Sequence, residues 1–162
     1  MMIQGAGARI FGVVIALSVA GPACAAVPGP AFMSLARDKV YLREGPSYQH
    51  RVLWIFRRKD LPVKVLQSYD IWRRVRSPDG TTGWISRVML SDRRTIVVTA
   101  RRAAPIRDGA GAGAHVIAFA QHGVVAKLEA CKATACRISA DGTEGWIAKQ
   151  NIWGVGVGEV FQ

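Results

Sequence analysis

The sequence of 162 residues has few of the residues on which enzymes and metal sites depend. It holds three histidines (His50, His115 and His122), and no two of them have the spacing of a metal-ligand pair. No Gly-x-Ser-x-Gly or Cys/His nucleophile pattern is present either. We therefore predict no catalytic residue, no metal site and no cofactor, and a protein that is not an enzyme.

Long apolar runs are scarce as well, and the clearest one lies at the N-terminus. Residues 10–20 form an uncharged apolar segment that follows Arg9 and precedes the small residues at 21–26. This arrangement is typical of a secretory signal peptide. We predict a signal peptide at residues 1–26, cleaved near Ala25 or Ala26, and hence a periplasmic or secreted protein.

Two other interpretations of this segment are a membrane anchor and a lipid anchor. Prolines at positions 22, 28 and 30 interrupt the apolar stretch well short of the roughly 20 helical residues that a membrane span needs. A lipid-attachment site at Cys24 would have a Leu-like residue three positions earlier, where this sequence has Gly21. Cleaved export is therefore favoured over both.

Cysteine is also rare, with three in the chain. Cleavage of the signal peptide would remove Cys24 and leave Cys131 and Cys136, an even pair in an exported protein. The four residues between them have the length of a hairpin loop, which would place the two cysteines opposite each other on adjacent strands. We predict a disulfide bond between them, and neither a zinc site nor a redox site.

What the chain does contain is an internal repeat. Residues 79–85 (DGTTGWI) recur as residues 141–147 (DGTEGWI), at an offset of 62. Upstream, residues 42–45 match residues 106–109 at an offset of 64. Several such matches in the same order indicate duplication of a unit of about 55–65 residues.

Within each copy, short alternating apolar runs are separated by turn residues, which is typical of β-structure. Asp-Gly pairs at 79–80 and 141–142 predict tight hairpins, because glycine accepts a positive φ. We predict five strands in each copy, at residues 39–43, 52–56, 61–68, 72–76 and 82–86, and then at residues 104–107, 115–120, 124–130, 135–139 and 144–148. A brief turn is expected after the last strand of each copy.

These segments resemble the bacterial SH3-like domain family, most of all its tandem two-copy exported form. The resemblance is carried by residues 40–47, 61–63, 72–75 and 79–85, and again by Cys131 and residues 123–125, 136–137, 145–147 and 153–155. It implies an all-β fold of two small SH3-like barrels and the binding of cell-wall material or peptide ligands. We assign to the fold motif Gly45, Gly80, Gly83, Trp84, Gly109, Gly142, Gly145 and Trp146.

The repeat and the resemblance together predict the domain organisation. We expect the signal peptide to be followed by a linker at residues 27–36, a first SH3-like domain at 37–97 and a second at 98–162. No residues are then left for a catalytic domain.

Functional residues are expected where the two copies differ. Trp54 and Trp72 of the first copy correspond to Ala118 and Ala135 of the second. Aromatic residues that one copy lacks are not required by the fold, so they would line a groove for a peptide or a glycan. The alternative is a bulkier core in the first copy. The candidate ligand-binding residues are Tyr41, Tyr48, Trp54, Tyr69, Trp72, Arg73 and Arg74.

Acidic residues are scarce, with 11 Asp and Glu against 22 Lys and Arg, a net charge of +11. Residues 34–98 hold 14 basic and 6 acidic residues, whereas residues 99–162 hold 7 and 5. Such an excess suits anionic partners, namely wall polymers, lipid head groups or acidic proteins. It would otherwise only keep an exported protein soluble. Nucleic acid, a common partner of basic proteins, is not expected outside the cell.

The sequence thus predicts a non-catalytic binding module whose first barrel recognises cell-envelope material, either peptidoglycan or a peptide. The second barrel would be a scaffold or a partner surface. The alternative function is an accessory or regulatory subunit of a cell-wall hydrolase or transpeptidase. A minimal enzyme ranks last.

Overall fold

The computed structural model describes residues 32–162, and this part of the chain is built from β-strands, with two 3₁₀ turns and no α-helix. The predicted signal peptide and Cys24 lie outside the described residues. No helix within residues 32–162 has the length and apolar character needed to cross a membrane.

Module 1, residues 32–91, is a single antiparallel sheet of seven strands. The 3₁₀ turn Arg87–Met89 joins its last two strands. The strands are β1 (Phe32–Leu35), β2 (Val40–Arg43), β3 (Val52–Phe56), β4 (Pro62–Tyr69), β5 (Trp72–Arg76), β6 (Thr82–Ser86) and β7 (Leu90–Ser91).

Module 2, residues 95–161, repeats this arrangement. Its 3₁₀ turn is Lys149–Asn151. The strands are β8 (Thr95–Val98), β9 (Ala104–Arg107), β10 (Val116–Ala120), β11 (Val125–Cys131), β12 (Ala135–Ala140), β13 (Thr143–Ala148) and β14 (Ile152–Trp153). The strand order is β3-β2-β6-β5-β4-β1-β7 in module 1 and β10-β9-β13-β12-β11-β8-β14 in module 2, so each strand occupies the same place in both sheets. The all-β fold of two tandem SH3-like units is confirmed.

The hairpins that join β5 to β6 and β12 to β13 form where the Asp-Gly pairs predicted them. Gly80 has a φ of 91° and Gly142 a φ of 79°, the left-handed region in which glycine is favoured. Asp79 reinforces the first hairpin, because its carboxylate accepts a hydrogen bond from the amide of Thr81 at 3.1 Å and another from the hydroxyl of Ser77. The hairpins therefore follow from local turn chemistry.

Each module encloses its own apolar core. In module 1 the core includes Leu35, Leu42, Val63, Val75 and Ile85, all of which are completely buried. The equivalent core of module 2 contains the disulfide bond between Cys131 and Cys136, which confirms the predicted pair. The two cysteines are directly opposite each other in β11 and β12, with 4.0 Å between their Cα atoms.

Each sheet has seven strands, two more than the five expected from the sequence. The additional strands of module 1 are β1 and β7, and they pair with each other. β1 lies in the range predicted as a linker, residues 27–36, and all four of its residues are buried. β8 likewise crosses the predicted boundary at residue 97, and it pairs with β11 and β14 of module 2.

Candidate functional site

The candidate site is built on β2, β6 and β5, which are neighbours in the sheet of module 1. The register places Arg43 opposite Trp84, and Trp84 opposite Arg74. Directly opposed residues of antiparallel strands point to the same face of a sheet. Two arginines therefore flank the indole of Trp84 in a row across three strands. We call this side of the sheet the outer face of module 1.

The alternation of β2 directs its polar residues to this face. Val40 and Leu42 are buried in the core, whereas Tyr41 and Arg43 lie at the surface. Lys39 Nζ is 5.2 Å from the centroid of the Tyr41 ring, and the guanidinium carbon of Arg43 is 5.9 Å from it. A hydrogen bond from Lys39 lowers the pKa of Tyr41 below its ordinary value. The ring of Tyr41 is thus held between two cations.

The loop between β2 and β3 adds a second aromatic contact. Arg43 Nη1 donates hydrogen bonds to the carbonyl oxygens of Tyr48 and His50, both at 2.9 Å, and so fixes this loop. Tyr48 packs edge-on against Trp72, with 4.9 Å between ring centroids, and its hydroxyl lies 3.5 Å from Ser86 Oγ. Trp72 is consequently only 5% exposed. It supports Tyr48 and offers little surface of its own to a ligand.

Glycine permits the close packing of this loop. A Cβ atom at Gly45 would collide with the imidazole of His50. The equivalent glycine of module 2, Gly109, has only the methyl group of Ala114 nearby, at 3.4 Å from its ideal Cβ position. Gly45 therefore lies against the exposed imidazole of His50, whereas Gly109 has more open surroundings.

The structure brings five of the seven predicted ligand-binding residues to the outer face or its edge. Tyr69 is opposite Trp72 in the register of β4 and β5, and it therefore points to the same side as Trp72. Tyr69 is well exposed, as is Arg74. The five residues are Tyr41, Tyr48, Tyr69, Trp72 and Arg74.

Arg73 and Trp54 lie elsewhere. Arg73 is opposite Ile85 and therefore on the other side of the sheet, where its Nη1 donates to the carbonyl oxygens of Asp70 and Trp72. Trp54 is opposite Leu42 at the edge strand β3, and 54% of it is exposed. It lines a cavity of about 290 Å³ at the junction of the two modules, with Arg58, Pro78, Val97 and Gly123 among its neighbours.

Two residues of the outer face were not among the predicted ligand-binding residues. Arg43 was not singled out, and Trp84 was assigned only to the fold motif. The repeat contains the signal that would have found both of them, because module 2 has the same row. There, Arg107 and Arg137 are each opposite Trp146. Lys132 Nζ is 5.1 Å from the centroid of the Trp146 ring.

No metal centre is formed by the side chains of residues 32–162, where no group of three or more His, Cys, Asp or Glu residues is arranged to hold an ion. His115 instead lies near the carboxylate of Asp108, at 3.4 Å, and His122 lies 3.2 Å from the carbonyl oxygen of Ala100. The outer face of module 1 itself presents cations beside aromatic rings.

Comparison with known proteins identifies two copies of one domain. The family model described as "Bacterial SH3 domain" matches residues 36–92 and again residues 100–154. None of the curated proteins matches the chain.

Among solved structures, similarity is found to NlpC2 from Trichomonas vaginalis, with a TM-score of 0.35 and 17% identity over 79% of this chain and 49% of that one. NlpC1 from the same organism gives 0.35 and 16% over 80% and 48%. An NlpC/P60 family protein from Bacillus cereus gives 0.34 and 10% over 75% and 55%. The chain thus spans about half the length of these structures.

Proposed function

Since this chain belongs to the bacterial SH3 domain family, we propose that it is a non-catalytic, exported protein that binds anionic cell-envelope material through the outer face of module 1. The observation that carries this proposal is the row formed by Arg43, Trp84 and Arg74. Export rests on the predicted signal peptide at residues 1–26, and the disulfide bond fits an oxidising compartment.

The basic residues of this face lack acidic neighbours. Lys64 is directly opposite Arg76 in β4 and β5, although like charges in opposed positions destabilise a sheet. Within residues 32–162, no carboxylate forms an ion pair with Lys64, Arg76, Arg74 or Arg43. An anionic partner would relieve this repulsion, so the charge arrangement favours binding of an anion over a purely structural role.

The aromatic rings define the kind of anion. Tyr41, Tyr48 and Trp84 present partly exposed rings beside the cations. Flat apolar rings pack against sugar rings and peptide groups, and the arginines form bidentate hydrogen bonds with carboxylates. Cell-wall polymers combine these groups, which makes peptidoglycan or an acidic envelope peptide the ligand class that we propose.

Co-sedimentation of the purified chain with isolated sacculi tests this proposal. We expect binding at low ionic strength that weakens as salt is added, since exposed charges are screened over a Debye length of about 10 Å at 0.1 M. The double variant Arg74→Gln/Arg76→Gln should bind about thirtyfold more weakly, because each of the two cations near an anionic surface contributes about 1 kcal/mol.

The matched control is Arg101→Gln/Arg102→Gln, which removes the same charge from two exposed residues outside the outer face. It should retain most of the binding. Absence of binding to sacculi, anionic lipid and every envelope protein at low salt would exclude the proposal. A complex with a wall hydrolase or transpeptidase that survives high salt, while sacculi are ignored, would identify an accessory subunit instead. Hydrolysis of muropeptides would contradict the non-catalytic role.

A further inference from the structure

The two modules differ where Trp72 and Tyr48 pack together in module 1. Trp72 of β5 corresponds to Ala135 of β12. Trp72 is opposite Ser86 of β6 and Ala135 is opposite Ala148 of β13, so the two residues occupy equivalent positions in their sheets. The loops 44–51 and 108–115 have equal length, so Tyr48 corresponds to Ala112. Module 2 therefore has two methyl groups where module 1 has two aromatic side chains.

The missing aromatic side chains leave an open cavity on module 2. Its volume is about 510 Å³, within the range of about 300–1,000 Å³ that is typical of ligand sites. The lining residues include Arg107, the loop residues 109–112, Thr134, Ala135, Trp146 and Gln150.

Hydrogen bonds anchor the backbone around the cavity, and small residues leave it open. Arg107 Nη1 donates a 2.7 Å hydrogen bond to the carbonyl oxygen of Ala114, which holds the loop to the sheet. Gly111 has no atom within 4 Å of an ideal Cβ position, so its backbone leaves space for a guest. The backbone at Thr134 is anchored as well, because its carbonyl oxygen accepts a 2.9 Å hydrogen bond from the amide of Lys149. The cavity is thus bounded on both sides by anchored backbone.

The charge around the cavity is positive. Arg107 is the one charged residue of its lining, and no carboxylate belongs to that lining within residues 32–162. Arg137 and Lys132 do not line this cavity; with Glu129 they line a neighbouring depression that also includes Trp146. The presence of both Arg107 and Trp146 in the lining complements a guest that carries a negative charge next to an apolar ring.

We propose that this cavity of module 2 binds an aromatic side chain of an acidic partner peptide. Module 1 shows the occupied form of the same site, with its own Tyr48 and Trp72 in the corresponding space. The peptide would place its ring between Ala135 and Trp146 and a carboxylate near Arg107. This site is independent of the outer face of module 1, so either can exist without the other.

Titration of the ¹⁵N-labelled chain with the peptide acetyl-Asp-Tyr-Asp-amide tests the proposal. We expect saturable chemical-shift changes at the indole N–H of Trp146 and the amides of Gly111 and Gln150. Acetyl-Asp-Ala-Asp-amide should cause changes of less than a tenth of that size at the same concentration, since it lacks the ring. Chitin oligosaccharides distinguish a second ligand class, because shifts at the same signals with the sugar alone would overturn the proposal in favour of a glycan site.

Two variants fill the cavity as module 1 does. Ala135→Trp and Ala112→Tyr should each weaken peptide binding by about tenfold or more, the usual effect of losing a buried aromatic anchor. Ala112 lies in an exposed loop, so Ala112→Tyr remains informative if Ala135→Trp does not fold. Val88→Ala changes an exposed residue of the 3₁₀ turn of module 1, outside both proposed binding sites, and should bind the peptide as the wild-type chain does. Unchanged affinity in folded Ala112→Tyr and Ala135→Trp, or no shifts with the tyrosine peptide, would overturn the proposal.

Discussion

The ring of Phe32 in β1 packs edge-on against the ring of Trp153 in β14, with 5.1 Å between the centroids and an interplanar angle of 89°. This contact joins the first strand of module 1 to the last strand of module 2. A hydrogen bond of 2.7 Å from the hydroxyl of Thr95 to the carbonyl oxygen of Asp60 adds to it. The two modules are therefore packed against each other, and they are not connected by residues 92–94 alone.

We expect this packing to couple the stability of the two modules. Phe32→Ala should lower the free energy of unfolding by about 3 kcal/mol, because it deletes a buried ring. Combined with Trp153→Ala, the loss should be about 1 kcal/mol smaller than the sum of the two single losses, since the contact can be lost only once. Urea denaturation of the four proteins of this cycle measures the difference.

The control cycle combines Phe32→Ala with Tyr69→Ala. Tyr69 is 60% exposed and makes no aromatic contact with Phe32, so the two losses should add. Additive losses in the Phe32 and Trp153 cycle as well would show that the ring contact does not couple the modules.

A second contact ties the C-terminal segment to the junction. The guanidinium of Arg94 donates to both carboxylate oxygens of Glu159, at 2.7 and 3.1 Å, and lies 5.8 Å from the ring centroid of Phe32. The carboxylate also accepts a hydrogen bond of 2.6 Å from the amide of Gly156. The hydrogen bond from Arg94 is the main cause that holds the pKa of Glu159 below its ordinary value of 4.5.

This shift makes stability depend on pH in a defined direction. A carboxyl group whose pKa is lower in the folded state stabilises the protein above its unfolded pKa, and this stability is lost as pH falls through the folded pKa. We expect the wild-type chain to lose the stability contributed by Glu159 as pH falls below about 4.5, the ordinary pKa of this carboxyl, and Glu159→Gln to lack this component. Urea denaturation across this pH range measures it.

Glu44→Gln is the matched control for Glu159→Gln. Glu44 is within 3.7 Å of Arg51, but both side chains are mostly exposed, at 56% and 74%. Such a pair contributes little in water, so its removal should leave the pH dependence close to that of the wild-type chain. A pH profile of Glu159→Gln identical to that of the wild-type chain would contradict the role of the Arg94 contact.

Most of the fold could be predicted from the sequence, because most of its strands alternate between core and surface. The ten predicted strands agree with the structure to within about one residue at each end. β1 and β8 could not be found in this way, since all four residues of each are buried and alternation is absent. β1 also lies within residues 27–36, which we predicted to be a linker.

The site could be predicted only in part, because its arrangement depends on the register and on the loops. Arg73 and Arg74 lie on opposite sides of the sheet, as the two-residue period of a strand requires. The contact between Tyr48 and Trp72 depends instead on how the loop 44–51 folds onto the sheet. To predict the cavity of module 2, one would need to know both the register of the strands and the fold of the loop, since the cavity lies where Ala112 and Ala135 replace these rings.

The repeated Gly-Trp pair gives the last prediction. An ideal Cβ atom at Gly83 would be 2.6 Å from Leu42 Cγ and 2.8 Å from the carbonyl oxygen of Arg43. At Gly145 it would be 2.8 Å from the carbonyl oxygen of Arg107. Glycine therefore allows β2 to approach β6 in module 1 and β9 to approach β13 in module 2. Gly83→Ala should therefore lower the free energy of unfolding by about 2 kcal/mol, through overpacking against backbone that cannot move aside. Urea denaturation measures this loss, and Gly113→Ala, where no atom lies within 4 Å of the added methyl group, is the control that should leave stability nearly unchanged. Equal stability of Gly83→Ala and Gly113→Ala would show that close approach is not the reason for the glycine.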